Sequence, residues 1–85
     1  MPHIDDKQVL WKEKDGIVTV LHISSSEFYE LNALGSTIWK MLAEAETTDA
    51  IIDSLAKKYD TTREQLALDV HAFIVKMIAA DLLKN

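Results

Sequence analysis

Three histidines, a run of three serines and two acidic pairs are the side chains of this chain with active-site chemistry. A histidine serves as a general base or a metal ligand, and a serine as a nucleophile when a base lies beside it. His3, His22 and His71 do not pair at helical ligand spacing. His22 lies within a β-prone run and His71 within a helical one, so each reads as solvent-facing or hydrogen-bonded. Ser24, Ser25 and Ser26 occupy a turn without an evident base, and Asp5-Asp6 and Glu44/Glu46 read as solvated surface. No HExxH, Walker or GxGxxG pattern occurs. Cysteine is absent, which removes disulfides, thiolate catalysis and cysteine zinc sites. The expectation is a protein with no catalytic residue, no metal and no cofactor.

Binding is what remains. Eighty-five residues make one small domain, 1–85, with no room for a catalytic domain beside a binding domain. Nine basic and fourteen acidic residues give a net charge of −5, which counts against nucleic acid or anionic lipid as partner. The apolar runs fall far short of the roughly 20 residues that span a bilayer. Met1 to Asp6 is polar and lacks a signal core. A soluble, cytoplasmic protein is expected.

The elements that must position a binding surface follow from two periodicities. Up to Asn32 the spacing is that of strands. Val9, Leu10 and Trp11 are β-prone, and Asp15-Gly16 supplies the positive φ of a tight hairpin. In Ile17 to Ile23, Ile17, Thr19, Leu21 and Ile23 share one face, and Val18, Val20 and His22 the other. After the serine turn, Glu27 to Leu31 forms a third strand, giving an antiparallel meander. From Asn32, a plausible N-cap, the period is helical. Leu34, Ile38, Met41 and Leu42 form one stripe with Trp39 beside it; Thr47-Thr48 punctuates, and Ile51, Ile52, Leu55, Ala56 and Tyr59 form the next. Thr61 and Glu64 fit a capping box for a last helix from about Thr62 to Ala80. Three strands followed by three helices predict an α+β fold, a three-stranded antiparallel sheet followed by three helices, winged helix-turn-helix-like.

The last helix carries a core stripe of Leu66, Val70, Phe73, Ile74 and Met77, and a flanking apolar row of Leu68, Ala72, Val75 and Ala79. The second row either lines a groove or is covered by the sheet. A DNA reader would present Arg, Lys, Asn or Gln from this helix. Arg63, Gln65 and Lys76 stand there against Glu64, Asp69 and Asp81, a poor supply for phosphate binding. The third strand is an edge of the meander without the lysine or proline that guards edges, protected only by Glu27 and Glu30. Such an edge beside an apolar helix can accept an extended peptide as an added strand. The plain alternative, favoured on composition alone, is an edge covered by the chain's own N-terminus.

The run from Phe28 to Leu42, an aromatic strand ending in Leu31-Asn32, then Gly35, then Ile38-Trp39 and Leu42, resembles the signature of the PqqD-like family. These are precursor-peptide recognition domains of ribosomal peptide natural product pathways. Thr47, Ile51-Ile52, Leu55, Tyr59, Asp69-Val70, Phe73 and Leu82-Leu83 agree in order and spacing, so that the resemblance covers roughly Gly16 to Leu83. Asp81 departs from it, standing where the family often has Gly before the final apolar pair. The resemblance implies a non-catalytic adaptor that binds the leader of a precursor peptide as a strand added to the third strand. It further implies that the last helix walls the groove and that the peptide then passes to a separate processing enzyme. Backbone contacts would fall on Phe28, Tyr29, Glu30 and Leu31, and the wall on Asp69, Val70, Phe73, Lys76 and Met77. Leu31, Ile38 and Trp39 are assigned to the core, and Asn32 to the cap. The signature looks more like the stand-alone domains of lasso-peptide pathways, whose partner is a leader peptidase of cysteine-protease type. The alternative is a PqqD-type chaperone of the quinone-cofactor precursor, partnered by a radical enzyme. An alternative of another class is a winged-helix DNA-binding protein.

Overall fold

A computed structural model describes residues 1–85. The chain runs β1 (Val9–Lys14), β2 (Ile17–His22), β3 (Glu27–Glu30), α1 (Ala33–Ala43), α2 (Thr48–Lys58) and α3 (Arg63–Ala79). The sheet is an antiparallel meander in the order β1-β2-β3, as expected, and the α+β architecture is compatible with a winged-helix-like description. Asp15 (φ 53°) and Gly16 (φ 84°) make the two-residue turn between Lys14 and Ile17, both with the positive φ of a type I′ hairpin.

The register decides which face is buried. Val18, Val20 and His22 point into the core, so the face that carries the histidine is the buried one. Ile17, Thr19, Leu21 and Ile23 lie on the outer face. Ile38, Trp39 and Leu42 of α1, Ile51, Ile52 and Leu55 of α2, and Leu66, Val70, Ile74 and Met77 of α3 close over the inner face. Trp11 meets Trp39 edge to face, with centroids 6.3 Å apart.

Helix ends follow capping chemistry, with two corrections to the sequence expectation. Asn32 caps α1 by accepting the Gly35 N–H (2.8 Å), and Thr47 caps α2 through the Ala50 N–H (3.1 Å). The cap of α3 is Thr62, which accepts the Gln65 N–H (3.1 Å), not Thr61. Thr62 and Gln65 have the same three-residue spacing as Thr61 and Glu64. The Gln65 amide turns forward to Asp69 (2.9 Å), leaving the reciprocal half of the box unmade. Helix α2 stops at Lys58, because Tyr59 is already extended (φ −110°, ψ 141°) and over a third exposed.

Helix α3 ends in a Schellman turn. The Leu82 N–H reaches the Met77 carbonyl (2.9 Å), and the Asp81 N–H that of Ile78 (3.0 Å). Asp81 holds the left-handed position (φ 61°) expected to suit glycine. Its carboxylate accepts from Lys84 Nζ (2.9 Å), from His22 Nε2 (3.1 Å) and from the Gln8 side-chain amide. His22 Nδ1 accepts the Ser25 N–H (3.3 Å), so its other nitrogen carries the proton that goes to Asp81. The histidine is thus buried and hydrogen-bonded. The turn drives Leu82 and Leu83 into the core, and Lys84 then pairs with His3 through two backbone hydrogen bonds of 2.9 Å.

Candidate functional site

The end of β3 is set by one serine. The Leu31 N–H bonds the Val18 carbonyl (2.9 Å), but the return bond is not direct. The Val18 N–H donates to Ser36 Oγ (2.8 Å), whose hydroxyl donates to the Leu31 carbonyl (3.3 Å). Ser36 is fully buried and replaces the last rung of the ladder where the chain leaves the sheet for α1.

The rung from Leu31 to Val18 also fixes the alternation along β3. In an antiparallel pair, every second residue turns its N–H and C=O to the neighbour. Tyr29, opposite Val20, and Glu27, opposite His22, therefore bond to β2. Phe28 and Glu30 turn their backbone groups away from β2, to an edge that no other strand covers. The N-terminus does not cover it either, since His3 pairs with Lys84.

Beside this edge lies a cleft of about 460 Å³, lined by Phe28, Tyr29, Glu30, Leu31 and Asn32 on one side and by Phe73, Lys76 and Met77 of α3 on the other. Tyr29 shares the inner face with Val20, and its half-buried ring points toward the cleft side of the sheet. The Phe73 ring packs against Gly35, where an added Cβ would lie 2.8 Å from Phe73 Cε1 and 3.1 Å from Asn32 Oδ1. Glycine at this point of α1 leaves room for the ring, which an added Cβ would displace. Lys76 is exposed and forms no ion pair, so the cleft has one free cation at its wall.

Seven of the nine residues expected at the site line this cleft: Phe28, Tyr29, Glu30, Leu31, Phe73, Lys76 and Met77. Val70 is fully buried in the core. Asp69 lies outside the cleft lining, engaged by Gln65. The flanking row of α3 neither lines the groove nor lies under the sheet: Leu68 is 65% and Val75 52% exposed, with Ala72 and Ala79 beside them. Arg63 is paired with Asp53 (2.7 Å). Sequence reasoning missed Asn32 as a wall residue and Gly35 as the seat of Phe73.

A second hollow of about 470 Å³ lies between Met1–Ile4, Trp11 and the end of α1. It meets the sheet only through Trp11 of β1, the other edge strand, whereas the cleft at β3 runs along three consecutive edge-strand residues and joins apolar walls to unpaired backbone groups. That combination can hold an extended chain by its backbone and its side chains together.

The family described as coenzyme PQQ synthesis protein D (PqqD) matches residues 18–83. No curated protein matches the chain by sequence. Among solved structures, TbiB1 in complex with the TbiA(beta) leader peptide is similar at 28% identity and a TM-score of 0.93, over 98% of this chain and 95% of that one. A lasso peptide synthetase B1 complexed with the leader peptide shares the fold, at 15% identity and a TM-score of 0.90, over 99% of this chain and 98% of that one. No helix is long and apolar enough to cross a membrane.

Proposed function

Because the chain belongs to the PqqD family, we propose that it is a non-catalytic adaptor that binds the leader of a ribosomally made precursor peptide, in lasso-peptide biosynthesis. Residues 1–85 act as one recognition domain in the cytoplasm, and the bound precursor passes to a separate processing enzyme. A leader peptidase of cysteine-protease type is the favoured partner, with a radical enzyme of the quinone-cofactor pathway as the second. The observation that carries the proposal is the uncovered edge of β3, with the backbone groups of Phe28 and Glu30 turned outward beside the cleft of Phe73, Lys76 and Met77. The likeness to a leader-bound TbiB1 supports it.

In this proposal Phe28 and Glu30 supply the rungs to the peptide. Tyr29 and Leu31, whose backbones serve β2, contribute side chains only. The test is titration of a labelled leader from the precursor encoded beside the chain. Saturable binding is expected, and its absence for every neighbouring precursor would sink the proposal. Glu30→Pro sharpens the test, because it removes an outward N–H without touching the bonds to β2. The variant should keep its circular dichroism spectrum and lose roughly three- to tenfold in affinity, the worth of one hydrogen bond or a little more.

A further inference from the structure

The register of the sheet reaches beyond the edge to the peptide that would lie there. Across the outer face, Leu10, Leu21 and Phe28 stand side by side on β1, β2 and β3. Leu10 is 58% and Phe28 70% exposed, so this apolar row lies open to solvent and runs to the free edge. The next row is Lys12, Thr19 and Glu30. Glu30 forms no ion pair, and Lys12 lies two strands away, roughly 10 Å at the usual strand spacing. Between the two rows Tyr29 faces inward, toward the cleft with Lys76 on its wall.

We propose that β3 selects a three-residue pattern in its peptide: an apolar or aromatic residue opposite Phe28, an uncharged apolar residue opposite Tyr29, and a lysine or arginine opposite Glu30. This rests on the strand-addition proposal and specifies its substrate class. Directly opposed side chains on one face lie about 4.5–5.5 Å apart, close enough for apolar and ion pairs to contribute. The residue opposite Phe28 extends the open apolar row by one strand. The middle residue enters the cleft between Phe73 and Met77, where Lys76 disfavours a second cation. The residue opposite Glu30 supplies the charge that carboxylate lacks. The pattern is the same for either strand direction; only its order along the peptide reverses.

The experiment uses fluorescence polarisation with the co-encoded leader, substituted at each position in turn by Lys, Glu and Leu, against the wild-type protein and Glu30→Lys. Glu30 is exposed, and circular dichroism verifies that the variant folds. One position should prefer Lys over Glu by about three- to tenfold with the wild type and invert that preference with Glu30→Lys, as expected for a cross-strand charge pair. The second residue from it should prefer Leu, and the one between them should reject Lys. If the leader binds and Glu30→Pro weakens it, yet no position inverts with Glu30→Lys, strand addition stands and the pattern is overturned. If no leader binds at all, both fall.

Discussion

Replacing Ser36 by alanine tests the device that ends β3. The Ser36 hydroxyl is the partner of two backbone groups, the Val18 N–H (2.8 Å) and the Leu31 carbonyl (3.3 Å), and Ser36 is fully buried. Alanine leaves both groups without a partner, in a space vacated by one oxygen atom and closed to bulk water. A buried backbone group that loses its partner costs about 1–3 kcal/mol, so the pair should cost about 2–4 kcal/mol, the longer bond contributing less. A domain of this size has a total stability of roughly 4–13 kcal/mol, so the loss is a large share of it. In urea, with a slope near 1 kcal/mol per M, the unfolding midpoint should fall by about 2 M or more at unchanged slope. Leader affinity should fall with it, since Leu31 anchors the cleft end of β3. A midpoint shift under about 0.5 M would refute the reasoning, showing that the two groups find other partners.

Three further outcomes are expected. Gly35→Ala forces the Phe73 ring away from a 2.8 Å approach toward the cleft, and should weaken leader binding by more than it changes stability, because the helix propensity of alanine offsets part of the overpacking cost; calorimetric titration beside urea unfolding separates the two. Ala45 sits in the left-handed region (φ 61°) after α1, so Ala45→Gly should stabilise by about 0.5–1 kcal/mol, read from the unfolding midpoint. The hydrogen bonds from Lys84 first, and from His22, hold the Asp81 carboxyl below its ordinary value of 3.8. Its contribution is therefore present above about pH 4 and lost as pH falls through the lowered value, so Asp81→Asn should flatten the acid side of the stability profile.

The sheet and helices were legible because their periods are strong: alternation in Ile17 to His22, Asp15-Gly16 at the hairpin, and Asn32 before the first helical stripe. The cap of α3 was ambiguous in principle, since Thr61 and Thr62 each precede a Glu or Gln by three residues. Which arc of α3 meets the cleft was not legible. Periodicity orders residues around a helix, but only the position of β3 decides that Phe73 and Lys76, and not Leu68 and Val75, border the groove. The bond between His22 and Asp81 spans 59 residues and leaves no local trace, so nothing near Asp81 in the sequence shows why aspartate can stand where the family often has glycine. The structure supplies that residue with three donors.

The brevity of β3 bears on time as well as on recognition. Four residues offer only two that face outward, hence four backbone groups. In the proposed complex, at about 0.5–1.5 kcal/mol net per bond, they contribute roughly 2–6 kcal/mol, a dissociation constant no tighter than tens of micromolar from the backbone alone. Side chains in the cleft supply the rest and set the dwell time, since affinity differences among related complexes lie mostly in the rate of leaving. An adaptor that must surrender its cargo to an enzyme gains from an edge too short to hold it long. The same shortness leaves the empty protein little template for pairing with a second copy of itself.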